Sequence, residues 1–242
     1  MLLTNLRIPI NHQIKTIPME KTYQGRLYLP DQHICQLVLK GEYSYFEMLI
    51  IKYNARLYRY GRAYGFNHKS TLDIIQETHV AAFTGLDRRD DDEKYSNYLL
   101  KIMIGKCTER YSKKPEMATL SNEEIVNNTD LWHISSAWRQ QKPLAKKEYA
   151  RLVERNLEQL PERHAEIFVL CAVDGMDTAT AALLINVNEV TVKIALSRVK
   201  ILLKEKFEGL DELESIYRLT ETDSRHMVQR VFTGINAIIS VE

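Results

Sequence analysis

Cysteine is scarce in this 242-residue chain: Cys35, Cys107 and Cys171 stand far apart and form no CxxC pair. That spacing argues against a zinc site or a disulfide framework and for thiols buried in a reducing compartment. Glycine (9) and proline (6) are also few, which disfavours a fold of many tight turns and favours helices. Neither sign of charge is in excess. With 33 Lys and Arg against 32 Asp and Glu, no global field advertises a polyanionic partner, although a local patch survives such averaging. No apolar run approaches the roughly 20 residues of a membrane-spanning helix. The stretch MLLTNLRIPINHQIK has no apolar core of the kind that directs secretion. A cytoplasmic protein without membrane insertion is expected. No carboxylate pair, nucleophile–base set, phosphate-cradling glycine loop or metal-ligand spacing emerges, and the seven histidines are scattered. His79 falls on an apolar helix face and reads as a core residue rather than a ligand. Neither an enzyme nor a bound metal or cofactor is expected.

What is present is helical periodicity. A chain of this length suits two small domains. Residues 1–30 carry Pro9, Pro18, Gly25 and Pro30 and read as an irregular arm. From Cys35 to Tyr64 the pattern is helical, with Phe46, Leu49, Ile50, Tyr53 and Leu57 on one side. YGFNHKS interrupts it, and a second helix opens at Ser70 with Asp73 near its positive end. Leu72, Ile75, His79, Ala82, Phe83 and Leu86 form its apolar stripe. The charged stretch GLDRRDDDEK reads as a solvated connector or a binding loop, and the residues alone leave both open. A third helix over roughly 95–111 ends in an excess of cations. Residues 115–143, bracketed by Pro115 and Pro143, are polar and read as a linker. The expected fold is all-α: two small helical domains, at 31–114 and 144–207, with an amphipathic tail at 208–242. Met227, Val228, Val231, Phe232, Ile235, Ile238 and Ile239 form that tail's stripe. It is expected to pack on the protein's own surface, with a partner site as the alternative.

In the second domain, Pro161 suits a first helical position, and Gly175 marks the end of the helix it opens. Asp177 can cap TATAALLI, Asn186 tolerates the left-handed conformation of a tight turn, and Asn188 can cap the next helix. In NVNEVTVKIALSRVK, period-two alternation competes with a helical stripe of Val192, Leu196, Val199 and Leu203. Capping and charge order decide for the helix, with Glu189 at its start and Lys200, Lys204 and Lys206 near its end. Two helices joined by so short a turn, with Ala181 and Ala182 permitting close crossing, make a helix-turn-helix.

These segments resemble bacterial sigma factors of the extracytoplasmic-function (ECF) type. LVLKGEYSYFEMLIIKYNARLYRYGRAYGF, continuing to LDIIQETHVAAF, is similar to the family's region two. LEQLPERHAEIFVLCAVDGMDTATAALLINVNEVTVKIALSRVKILLKEKF is similar, without gaps, to its region four. The resemblance implies a subunit that binds core RNA polymerase, directs it to promoter DNA and helps open the duplex. Region two would serve polymerase and the minus-ten element, and region four the minus-thirty-five element. An anti-sigma factor is implied as a further partner. Near-zero net charge suits a specificity subunit that should not occupy DNA alone.

By the same resemblance, Asp73, Gln76 and Glu77 match the polymerase contact, while spacing alone reads as a solvated face. Tyr98, Lys101, Lys106 and Arg110 match the single-strand reader of the minus-ten element, where aromatic stacking joins backbone cations. Tyr98 reads equally as core. Lys193, Ile194, Ser197, Arg198 and Lys200 match the groove-reading positions. A cationic solvated helix end is the plain alternative. Gly105 stands where the family usually has Asn. Ile194 and Ala195 replace a frequent Ser-Arg pair, which implies an unusual promoter preference or a weak grip. A stand-alone helix-turn-helix regulator and a sigma-derived interaction protein remain the competing readings.

Overall fold

In the computed structural model, residues 29–112, 154, 160, 162–206 and 217–239 are described. Among these there are eight α-helices and no strand. They are α1 (Asp31–Leu39), α2 (Phe46–Ala63), α3 (His68–Thr84), α4 (Tyr95–Ser112), α5 (Glu162–Phe168), α6 (Thr178–Ile185), α7 (Glu189–Lys206) and α8 (Glu221–Ile239). The N-terminal arm up to residue 28, the linker at 115–143 and Pro161 lie outside the described residues. The chain divides into two compact units. Of the described residues, one takes 29–57, 72–106 and 219–239, and the other takes 58–71, 107–112, 154, 160, 162–206 and 217–218.

The first unit is built on the apolar faces read from the sequence. Phe46, Leu49, Ile50, Tyr53 and Leu57 from α2 are buried with Ile75, His79, Ala82 and Phe83 from α3, whereas Leu72 is half-buried. The single helical stretch expected from Cys35 to Tyr64 is in fact broken. Helix α1 ends at Leu39, Gly41 takes a left-handed φ of +97°, and a single tight turn (Tyr43–Tyr45) leads into α2. The break occurs where glycine removes the steric penalty on positive φ. A second correction concerns α3. It begins at His68, and Asn67 Oδ1 accepts from the Ser70 amide at 2.9 Å. Asn67, not Ser70, is therefore the cap.

The charged connector is anchored rather than wholly solvated. The Arg89 side chain is 2% exposed. Its guanidinium donates to Gln32 Oε1 at 2.5 Å, to the Asp90 carbonyl and to the Glu93 carbonyl. These bonds tie the connector back to α1. His79 is fully buried, as expected, and its Nε2 lies 3.1 Å from Asn54 Oδ1. Asn54 spends its amide hydrogens on the Ser224 carbonyl and hydroxyl, both at 3.2 Å. The stripe of α8 packs inward as expected: Met227, Val228, Val231, Phe232 and Ile235 are all buried, while Ile238 remains 43% exposed. The start of α8 is set by Thr220, whose Oγ1 accepts from the Asp223 amide at 3.0 Å.

The second unit contains the helix-turn-helix. Asp177 Oδ1 accepts from the Thr180 amide at 2.8 Å, and Asn186 closes α6 with a left-handed φ of +54°. Asn188 Oδ1 accepts from the Val190 amide at 2.8 Å. All three residues serve as their types suggest. The chain turns by 110° between α6 and α7, within the range of this motif. Val192, Ala195 and Val199 are the buried face of α7, and Leu196 is half-buried. Ala195 is 0% exposed, so it belongs to the core and not to a groove-reading surface. Its small side chain lets α7 pack closely. No single helix among the described residues is long and apolar enough to cross a membrane.

Two imidazoles make stability depend on acid. Burial lowers the pKa of His79 from 6.5 to about 3. Burial, and then the Arg198 charge, lower that of His164 to about 4. Neither ring nitrogen of His164 has a hydrogen-bond partner among the described residues. Protonation is therefore easier in the unfolded chain. This contribution to stability is complete above pH ~6.5 and is lost as pH falls toward the folded values. Urea unfolding between pH 6.5 and 5 should show stability falling with acid. The His79→Gln variant should have a slope shallower by about 1 kcal/mol per pH unit on average over that range. An unchanged slope would count against a neutral, buried His79.

Candidate nucleic-acid and partner interfaces

The acidic face of α3 is divided between two neighbours. Asp73 and Gln76 are one turn apart and half-buried, and both are engaged by Arg230 of α8. Arg230 Nη2 donates to Asp73 Oδ1 at 2.7 Å, and its Nε donates to Gln76 Oε1 at 3.0 Å. Gln76 Nε2 returns a bond to the Arg230 carbonyl at 3.1 Å. Glu77 turns toward α4 instead, with Lys106 Nζ 3.9 Å away. The structure thus brings two of the three sequence-derived residues together under one arginine and separates the third.

The four residues singled out on α4 do not form one stripe. At about 3.6 residues per turn, Lys101 and Arg110 fall on roughly opposite sides of the helix. Tyr98 is half-buried, with its ring 6.1 Å from that of Tyr95 and its hydroxyl donating to the Ala82 carbonyl at 3.4 Å. Burial raises its pKa, and the nearby Arg88 and Arg89 oppose the shift. A Cβ at Gly85 would come within 2.9 Å of that hydroxyl, so Gly85 provides the space that Tyr98 fills. Tyr98 is therefore packed against its neighbours on α3 and α4 while remaining partly accessible. Lys101 is exposed and pairs with Glu93 at 2.6 Å. Arg110 is half-buried, and nothing lies within 4 Å of a Cβ built at Gly105.

On α7 the candidate residues are closer to one surface. Lys193, Ser197 and Lys200 are exposed and fall on one strip, while Ile194 and Arg198 are half-buried at its edge. Sequence reasoning missed two members of this surface: Val190 is 59% exposed and Ile201 45%. Val190 belongs to the alternation that suits a buried strand, and Ile201 falls outside the helical stripe without any signal of its own. Only the assembled core shows which side of α7 they occupy. The strip is therefore mixed, with apolar residues running beside the cations. Lys193 Nζ pairs with Glu189 Oε1 at 2.8 Å, and Glu189 also accepts from Thr178 Oγ1 at 2.7 Å. These bonds hold the Glu189 pKa below its usual value. They also fasten the start of α7 to the start of α6.

What orients this strip is the polar core beneath it. Glu166 is fully buried, accepts a short hydrogen bond from the Tyr60 hydroxyl, and is paired with Arg163 Nη1 at 3.2 Å. Burial pushes the Glu166 pKa up, with Arg163 opposing. Arg163 Nη1 also donates to the Ile185 carbonyl at 3.3 Å, satisfying an orphan acceptor at the end of α6. The arginine of the LPER segment is thus a structural link between α5 and the turn of the motif. In the same unit, Arg59 donates to Asp174 Oδ1 at 2.5 and 3.1 Å from Nη2 and Nε.

Residues 49–115 match the family described as Sigma-70 region 2, and residues 150–203 match that described as Sigma-70, region 4. The chain belongs to the sigma-70 family, as a member of the ECF type. Among curated relatives, it is 26% identical over 176 residues to the RNA polymerase sigma factor CnrH of Cupriavidus metallidurans. That match covers 71% of this chain and 92% of CnrH. The ECF RNA polymerase sigma-E factors of Salmonella typhimurium and Escherichia coli are 20% identical over 185 residues, covering 75% of this chain and 96% of theirs. Among solved structures, that of CnrH in complex with the cytosolic domain of CnrY has a TM-score of 0.50 at 20% identity. It covers 72% of this chain and 94% of that one, a likeness of fold. Helix α8 lies beyond both matched regions of this sigma-70 family member.

The buried pair gives a direct test of the link to the turn. Arg163→Ala leaves Glu166 with Tyr60 alone and the Ile185 carbonyl uncapped. It should cost about 3 kcal/mol in urea unfolding. Adding Glu166→Leu should recover much of that loss, because the stranded carboxylate is then gone. A loss under about 1 kcal/mol for the single variant would mean that the pair adds little.

Proposed function

We propose that this protein binds core RNA polymerase and directs it to a particular class of promoters. It acts as a dissociable, non-catalytic initiation subunit in the cytoplasm. The observation that carries this reading is the occurrence of both sigma-70 regions in order on one chain, the second built as a helix-turn-helix with an exposed α7 strip. In this reading residues 31–114 form region two, 115–143 the linker and 144–207 region four. Asp73, Gln76 and Glu77 bind polymerase. The partly accessible Tyr98, with Lys101, Lys106 and Arg110, meets the unpaired minus-ten strand through stacking and phosphate contacts. Lys193, Ile194, Ser197, Arg198 and Lys200 enter the major groove of the minus-thirty-five element. There Lys or Arg can pair with guanine, and Ile194 can touch a thymine methyl. An anti-sigma factor restrains the protein until a signal arrives, by analogy with the CnrH–CnrY pair.

One observation favours a second reading, that of a sigma-derived interaction protein with weak DNA binding. The exposed strip of α7 includes Val190 and Ile201, and Lys193 is already paired with Glu189. Transcription in vitro with purified core polymerase separates the two. The protein should change which promoters are used. Replacing Lys193 and Arg198 with Ala should reduce promoter-specific initiation at least tenfold and leave core affinity unchanged. Core binding with no promoter preference would favour the second reading, and no core binding at all would overturn both.

A further inference from the structure

Helix α8 occupies Asp73 and Gln76, two of the three α3 residues through which the proposed function has the protein bind polymerase. We propose that α8 is an intrinsic competitor of core polymerase: the molecule binds core only when α8 leaves α3. This inference rests on the assignment of Asp73, Gln76 and Glu77 to polymerase binding.

Three observations carry it. The first is that the occupancy is specific. Arg230 takes both the Asp73 carboxylate and the Gln76 side-chain carbonyl, and the Gln76 amide binds the Arg230 main chain. Both hydrogen-bonding ends of Gln76 are therefore used by α8. The second is that the approach is close. A Cβ at Gly234 would come 3.0 Å from Val80 Cγ2 and 3.5 Å from Gln76 Nε2, so Gly234 lets the α8 backbone lie directly on α3. The third is that α8 lies outside both matched family regions, which end at residue 203. The α3 residues it covers, by contrast, lie inside the region-two match.

The chemistry also states what replaces α8. A face made of Asp73, Gln76 and Val80 accepts a helix that brings a guanidinium or ammonium group beside a small residue. A polymerase element that uses this face must carry a cation to Asp73, or leave a half-buried carboxylate without its partner. Arg230 and that cation cannot both sit on Asp73 and Gln76. The polar part of the contact is modest in strength, because the Arg230 and Asp73 side chains are each about a third exposed (35% and 37%). That suits a segment that must be displaced. The apolar stripe from Met227 to Ile235 gives α8 a reason to be docked when polymerase is absent.

The test uses the full-length protein and core polymerase labelled for equilibrium binding. Arg230→Ala removes the cation and leaves the acidic face intact. It should bind core several-fold more tightly than the wild type, tenfold being the ceiling if α8 is docked in about nine-tenths of molecules. A merely structural α8 predicts unchanged or weaker binding, and that result would overturn the proposal. A second variant carries Val80→Cys and Gly234→Cys; a Cβ at 234 comes 3.0 Å from Val80 Cγ2, the place a sulfur at position 80 would take. Oxidised, it should bind core at least tenfold more weakly than after reduction with dithiothreitol. Equal binding by the oxidised and reduced forms, with wild-type affinity retained, would overturn the competitor role and leave the assignment as a sigma factor standing. If neither the wild type, nor Arg230→Ala, nor the reduced double-cysteine variant binds core, the underlying functional reading fails as well.

Discussion

The second unit depends on one buried carboxylate. Glu166 has no access to water and must be satisfied where it lies. Tyr60 and Arg163 do so, and Arg163 continues to the last carbonyl of α6. A single guanidinium therefore settles two otherwise costly groups, a buried charge and an uncapped helix end. Because it reaches both α5 and the turn at Asn186, it fixes where α7 begins. The outward strip of α7 is aligned by polar atoms beneath the helix as much as by the apolar face of Val192, Ala195 and Val199.

Helix α3 is used on both sides. One side is the core of the first unit, where His79 stays neutral and shares a hydrogen bond with Asn54, and Asn54 holds the start of α8 at Ser224. The other side carries Asp73 and Gln76, which take Arg230. Helix α8 is thus tied down at its beginning by a buried amide and along its length by a half-buried charge pair. The buried contact sets where α8 starts. The charge pair, about a third exposed, is the weaker of the two ties.

Much of this is legible in the sequence. The caps at Asp177, Asn186 and Asn188 follow from short-range chemistry that side-chain type alone dictates, and each serves as that chemistry suggests. The apolar stripes of α2, α3 and α8 are legible for the same reason, since helical periodicity is local. Features set by several elements are not. The helix break at Gly41 and the cap at Asn67 escape the sequence because neighbouring residues offer equally good alternatives. Ala195 reads as a missing contact, and only the packing of α7 places it inside. The same packing leaves Val190 and Ile201 outside. The meeting of Arg230 with Asp73 spans 157 positions along the chain, and no periodicity reports a partner at that distance. Comparison with known proteins supplies the family, but α8 lies beyond the two matched sigma-70 regions.

The pairing of Lys193 with Glu189 has a consequence for how a duplex would be sensed. A lysine that enters a groove already neutralised by its own helix releases fewer counterions from the DNA than a bare one, so the affinity of that helix depends less steeply on salt. Val190, Ile194 and Ile201 line the same side, and their chemistry is contact with methyl groups. The methyl of thymine is the feature of the major groove that such side chains can tell apart. In a duplex this surface would respond to where the groove is apolar more than to how much charge the backbone carries.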